Sequence, residues 1–265
     1  MKTATKTVFR SAIQNDCNTI AQLFRIASDG VSDYLWSTLV DQYPGLTLLE
    51  IGAKRYADPD SLFSYKNCVL AKQNDRTIGL MLTFSTEDSE ANASSEAVSS
   101  EAVSSLIVSP DVPPESLGSP GTWYVEHHAL FPQLQPARTV EKAELEKAKP
   151  EKAKPPTHIS ADLSEPDVLA PYSLEAAGTW YICALALFPE FQGQGIGTQF
   201  LQLAHRQAAE RGFSELSLLC FEQNAGALRL YQRNGFKVID RAPVVSHPLI
   251  HHTGDILLMT APVHV

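Results

Sequence analysis

The sequence predicts an α/β protein, a single domain on a mixed central sheet flanked by helices, into which a foreign segment has been spliced. Three observations predict it. Short apolar strands alternate with amphipathic helices in both flanks, one strand runs through a glycine-rich turn directly into a helix, and residues 86–173 differ in composition from everything around them.

The first flank opens with a short strand, Val8–Ala12. Asn15 or Asp16 is placed to cap a helix whose apolar face is Ile20, Leu23, Phe24 and Ala27. A second helix follows over about Asp33–Gln42. The runs Cys68–Lys72 and Thr77–Phe84 are strands joined by a turn at Gln73-Asn-Asp-Arg76. Beyond the segment, the strand Trp180–Leu187 leads into a helix from Gly195 to about Arg211, which Gly212 stops. Then come the strand Glu215–Phe221, a helix Asn224–Asn234 ended by Gly235, the strand Phe236–Asp240 and a last strand near Ile256–Met259. The hairpin-like joins make the sheet mixed rather than wholly parallel.

The segment 86–173, between the third and fourth strands, reads as acidic and of low complexity. It holds 15 acidic and 6 basic side chains, so the net charge of −9 belongs to it alone, and 11 of the 17 prolines lie in it. It repeats Ser-Glu-Ala-Val-Ser at 95–99 and 100–104, and Glu-Lys-Ala at 141, 146 and 151. A five-residue period is neither helical nor extended, and such a stretch buries too little apolar surface to offset its ordering entropy, so most of it is expected to be disordered. One part is different. Residues 121–132 match 178–189 at eight of twelve positions, which points to a partial duplication whose first copy lacks the glycine turn. Its Glu126-His127-His128 lacks a third ligand at sensible spacing and is a poor metal site.

With the charge confined to one segment, the acidity says little about what the folded part binds, and neither a nucleic acid nor a membrane is expected as partner. No apolar run reaches the roughly 18 residues of a membrane span, and the lysines near Met1 are not followed by an apolar signal core. Cys17, Cys68, Cys183 and Cys220 show no metal-ligand spacing and read as reduced, in a cytoplasmic protein.

The chemistry concentrates in Trp180–Phe200. Glycines at 193, 195 and 197 let the backbone approach a ligand closely, and the first amides of the following helix point outward at its positive end, a setting for a pyrophosphate-like anion. A dinucleotide turn fits less well, because Thr198 stands where G-x-G-x-x-G has its third glycine. A P-loop is excluded, since no Gly-Lys-Ser/Thr follows. A tight turn that binds nothing remains the plain alternative.

Gln192-x-x-Gly195-x-Gly197 after Leu185-Ala186-Leu187 resembles motif A of the GNAT superfamily of N-acetyltransferases. Asn224-Ala-Gly-Ala-Leu-Arg-Leu-Tyr231-Gln-Arg-Asn-Gly235-Phe236 resembles its second motif, in the right order and roughly 30 residues on. The resemblance spans about 5–85 and 174–265. It implies the GNAT fold and acetyl-CoA, or coenzyme A, as co-substrate. The amides of Gln192, Gly193, Gln194, Gly195, Ile196, Gly197 and Thr198 would hold the pyrophosphate. The main chain of Leu185, Ala186 and Leu187 would pair with the pantetheine arm, where the strands Trp180–Leu187 and Glu215–Phe221 splay. Asn224 would cap its helix and touch the cofactor. Tyr231 would be the general acid for the leaving thiolate, a role suited to a phenol because a thiol is of similar acidity; packing an amphipathic helix is its plainer role.

The reaction implied is direct acetyl transfer to a primary amine, on a small molecule or a protein N-terminus or lysine, with a homodimer among the compatible assemblies. The sequence departs from many relatives where they place a glutamate on the fourth strand as base. Here Cys183 and Ala184 stand, leaving Glu50, His251, His252 and Asp255 as candidates through water. Cys183 as an acylated nucleophile, an acyl-CoA-binding module without turnover, and an interaction scaffold working through the segment are the competing readings. If the segment is disordered, limited proteolysis should cut first within 90–120 and 133–170 and leave two associated fragments; resistance there would show a second folded unit.

Overall fold

The computed structural model describes residues 6–87 and 167–264. Among them, β1 (Thr7–Ser11), β2 (Cys68–Gln73), β3 (Arg76–Ser85), β4 (Trp180–Leu187), β5 (Glu215–Phe221), β6 (Lys237–Pro243) and β7 (Asp255–Pro262) form one sheet in the order β1-β2-β3-β4-β5-β7-β6. Every neighbouring pair is antiparallel except β4 and β5, so the sheet is mixed as the joins predict.

Helices α1 (Cys17–Ser28), α2 (Val31–Ser37) and α3 (Leu48–Tyr56) cover one face, and α4 (Ile196–Glu210) and α5 (Ala225–Arg233) cover the other. Ile20, Leu23, Trp36 and Ile51 pack with Leu70, Leu80, Leu82, Ala184 and Ala186 beneath the first group. Ile196, Phe200, Leu201 and Ala204 pack with Met81, Trp180, Ile182, Leu216 and Leu218 beneath the second.

These two lists disclose a break in β4. Side chains two apart in a strand share a face, yet Trp180 and Ile182 lie under α4 whereas Ala184 and Ala186 lie under α1–α3. The pairing with β3 gives the cause. Leu82 faces Ala184 and Thr83 faces Ile182, so Cys183 is an extra residue, a β-bulge. Thr83 accordingly lies on the α4 side, where its hydroxyl donates to Gln207 Oε1 at 3.2 Å.

Several boundaries differ from the expected ones. The second helix occupies 31–37, and β7 runs on to Pro262. Helix α3 is not among the expected elements, although Thr47 and Glu50 form a capping box in which the Thr47 amide donates to the Glu50 carboxylate at 2.8 Å. Asp16 does not cap α1 with its side chain. Its carboxylate instead accepts from the Ile13 amide at 2.8 Å and pairs with Arg10 at 2.7 and 2.8 Å, which holds its pKa down.

Of the segment distinguished by composition, the described edges belong to the fold. Thr86 is buried, and Leu169 and Pro171 are buried around a 3-10 turn at Ala170–Ser173. The duplicated stretch 121–132 and the five-residue repeats lie outside the described residues. Gly52 of α3 packs against the Trp36 ring, where an added Cβ would come within 2.5–2.8 Å. Gly52→Ala should therefore destabilise by about 1–3 kcal/mol, read as a lower denaturation midpoint at unchanged slope.

Candidate active site

β4 and β5 are joined only at Trp180–Leu216, Tyr181–Ser217 and Ile182–Leu218, and the pairing ends where the bulge begins. From Cys183 onward the two strands part. β4 keeps its ladder to β3, and β5 keeps its ladder to β7. The alternate peptide groups of 183–187 that face β5 are thus left without a strand partner along a wall, and buried backbone groups need partners. A cleft of about 980 Å³ opens here and passes between the strands, lined by residues from both faces of the sheet.

At one end of the cleft stands the glycine turn. Gly193 and Gly195 adopt φ of 72° and 78°, and no atom beyond the adjacent residues lies within 4 Å of where either would carry a Cβ. Gly195 is the N-cap of α4, and the first helical bond runs from the Gln199 amide to its carbonyl at 3.2 Å. The amides of Ile196, Gly197 and Thr198 precede that bond and sit at the positive end of the helix. The turn is braced from behind. Arg76 bonds Glu190 and lies over the Phe188 and Phe191 rings, at 5.6 and 5.0 Å.

The structure brings most of the residues singled out from sequence to this cleft: Leu185, Ala186, Leu187, Gln192, Gly193, Gly195, Ile196, Gly197, Thr198, Asn224 and Tyr231 all line it. Gln194 does not line it; its side chain donates to the Glu190 carbonyl at 3.1 Å. Gln192 donates to the Leu187 carbonyl at 3.2 Å, so that one strand acceptor is already used. Asn224 caps α5 by accepting from the Ala227 amide at 3.0 Å. Gly197 is small for packing, since a Cβ there would meet Leu230 of α5 at 2.8 Å.

Tyr231 is 7% exposed and stacks obliquely on Phe236, with ring centroids 5.7 Å apart. Burial pushes its phenol well above the usual tyrosine value, so the group keeps its proton at neutral pH. Cys183, on the bulge, is likewise pushed up to about 12 by burial. Arg229 and Arg233, one helical turn apart on α5, also line the cleft; sequence reasoning passed over them, although their spacing puts both on one helix face.

The candidate bases are dispersed. Glu50 is consumed by its capping box. Asp255 lies 3.4 Å from Arg241. His251 is exposed. Only His252 is buried, and its Nε2 lies 2.9 Å from the hydroxyl of Tyr172, which lines the cleft. Among the described residues no group of three or more His, Cys, Asp or Glu could hold a metal ion, and no helix is long and apolar enough to cross a membrane.

The sheet is antiparallel but for one parallel pair, whose strands part beside a glycine turn and a helix N-terminus. The Acetyltransferase (GNAT) family model matches residues 160–236. The fold is similar to that of an acetyltransferase crystal structure at TM-score 0.52 and 17% identity, covering 97% of this chain and 100% of that one. It is also similar to an N-acetyltransferase from Staphylococcus aureus Mu50 at TM-score 0.51 and 16% identity, covering 96% and 100%. No curated protein matches the chain. The match to the family model covers β4, α4, β5 and α5, the elements that form the cleft.

Two glycines of the turn should fail in different ways. Gly197→Ala should cost about 1–3 kcal/mol of stability, much of it recovered when Leu230→Ala is added. Gly195→Ala should cost about 1–2 kcal/mol through its left-handed backbone, with no recovery from Leu230→Ala. A double-mutant cycle in denaturant separates the two.

Proposed function

We propose that the protein transfers acetyl from acetyl-CoA directly to a primary amine, with Tyr231 as the acid that protonates the leaving sulfur. The observation that carries this reading is the parting of β4 from β5 at Cys183, beside unpaired helix amides and a buried phenol.

The residues present fit such a co-substrate. The cradle before Gly193 and Gly195 is open, and the amides of Ile196, Gly197 and Thr198 suit a pyrophosphate. Arg229 and Arg233 offer the positive charge that Gln192, in place of the commoner arginine, does not. The free edge of β4 offers backbone donors and acceptors to a pantetheine arm, chiefly at Leu185 and the Leu187 amide, because Gln192 occupies the Leu187 carbonyl and the Ala186 peptide groups face β3. When bound, the co-substrate supplies an acyl group already activated as a thioester. Tyr231 Oη makes no hydrogen bond among the described residues, which leaves it free to donate. Direct transfer is favoured over an acyl-cysteine, since a thiol raised to about 12 is scarcely ionised at neutral pH. The free cysteines fit a cytoplasmic setting.

An acyl-CoA-binding module without turnover is supported by one observation, the lack of a carboxylate on β4. Thiol release measured over a panel of amines decides between them: coenzyme A binding with no release on any amine would leave only the module. In the transfer reading, Tyr231→Phe should lower turnover by roughly 10²-fold or more with acetyl-CoA affinity little changed. Near-normal turnover would reduce Tyr231 to a packing residue, and a matched fall in affinity would make it a ligand.

A further inference from the structure

The cleft has a second end, on the α1–α2 side of the sheet, built from three segments distant in sequence. Val31, Leu169 and Ile250 form a small buried cluster, with Tyr34, Leu35 and Tyr172 packed against it. The α1–α2 corner, the turn at 170–173 and the loop before β7 meet there. The corner is held fast: Gly30 has φ of 102°, and a Cβ on it would fall 1.8 Å from the Leu249 carbonyl. The His251 amide donates to the Asp29 carbonyl at 3.2 Å, which ties the same corner to the loop.

This packing buries His252 to 5% exposure, against the Phe221 ring at 3.5 Å between centroids. Its Nε2 meets the Tyr172 hydroxyl at 2.9 Å. Its Nδ1 lies 3.5 Å from Asp29 Oδ2, long for a hydrogen bond but close enough for the carboxylate to favour an imidazolium. The groups acting on the ring are therefore Tyr172 from the 170–173 turn, Asp29 from the α1–α2 corner and His251 from its own loop. Burial outweighs Asp29, and the histidine pKa is lowered, so the ring is neutral at pH 7 and able to accept a proton.

We propose that Tyr172 and His252, with Asp29 behind them, form the proton-accepting arm of the acceptor site. The arm serves an amine that is an ammonium ion in water and is carried on an apolar stem. This rests on the transfer reading above. Tyr172 is the group that touches the acceptor, and His252 acts through it. The stem would lie against Phe24, Val31, Leu35 and Leu169, which line this end of the cleft. The buried β4 offers no carboxylate for the task, whereas Tyr172 reaches the cleft from a segment whose composition reads as an insert.

One N–H bond of the ammonium breaks and its proton passes to Tyr172 Oη, while the Tyr172 proton passes to His252 Nε2. The imidazolium beside Asp29 later returns that proton to solvent. The freed electron pair forms the C–N bond, and the C–S bond breaks as Tyr231 protonates the sulfur. The second nitrogen proton then restores the Tyr231 phenol, so the net release is one proton for each amide made.

The test compares 2-phenylethylamine, an ammonium at pH 7, with 4-ethylaniline, which is already neutral there. Tyr172→Phe and His252→Gln should lower kcat for 2-phenylethylamine by about 10²-fold. They should leave 4-ethylaniline within a few-fold and the KM for acetyl-CoA unchanged. The wild-type kcat for 2-phenylethylamine should fall on acidification with a midpoint below about 6.5, the ordinary histidine value. That limb should vanish in His252→Gln and move to still lower pH in Asp29→Asn, which keeps the shape but withdraws the charge that favours the imidazolium. Should His252→Gln fail to fold, Tyr172→Phe and Asp29→Asn carry the test. Equal losses on both amines, or an unmoved acid limb, would overturn the relay and leave a structural polar pair. Wild-type protein active on both amines with unaffected variants overturns the relay alone. Wild-type protein active on neither overturns the relay, while thiol release with other amines would keep the transfer reading alive.

Discussion

One extra residue in β4 sets the terms for the rest of the molecule. Through Ile182 the strand is held on both sides, by β3 and by β5. At Cys183 the bulge adds a residue on the β4 side only, which turns the following side chains over to the other face and bends the strand away from β5. Both strands keep their outer ladders, so the sheet stays whole while its centre opens. The glycine turn, the free strand edge and the passage from one face of the sheet to the other all depend on that single displacement. In a regular sheet the same sequence motifs would line no cleft.

The two helices beyond the bulge are coupled by a close contact. The N-terminal turn of α4, which presents the free amides, meets α5 where Leu230 lies against Gly197. The next residue on α5 is Tyr231. The distance between the free amides of α4 and the buried phenol is therefore set by side-chain packing. Capping of α5 by Asn224 adds a further constraint at the mouth of the cleft.

Much of this was legible in the sequence, for identifiable reasons. The glycine turn, α4, α5 and the Asn224 cap carry local signals: left-handed glycines, amphipathic spacing and a capping side chain. Helix α3 was missed although Thr47-x-x-Glu50 announces its start, because Gly52 interrupts its apolar face and is present only to admit Trp36. The bulge was hidden because Trp180–Leu187 is apolar throughout; a strand covered on both faces has no alternation to break. Tyr172 was passed over because Pro166 and Pro171 made its neighbourhood resemble the segment before it. Its packing partners, Val31 and Ile250, are far away in sequence and no local window contains them. This end of the cleft is thus mostly tertiary information.

The junction where β3 ends and β4 begins is closed by a pair of threonines. The Thr86 amide and hydroxyl both donate to the Thr179 carbonyl at 3.2 Å, the Thr179 amide donates to Thr86 Oγ1 at 3.0 Å, and the Thr179 hydroxyl meets Ser217 of β5 at 2.6 Å. Two points 93 positions apart in the chain are thereby buttoned together. The closure entropy of a chain between fixed ends rises slowly with length, by about 0.6 kcal/mol for each doubling. The threonine button thus makes the sheet nearly indifferent to how much chain passes through it. Repeats can lengthen or shorten there, and duplicated pieces of neighbouring sequence can accumulate, without the register of β3 on β4 having to change.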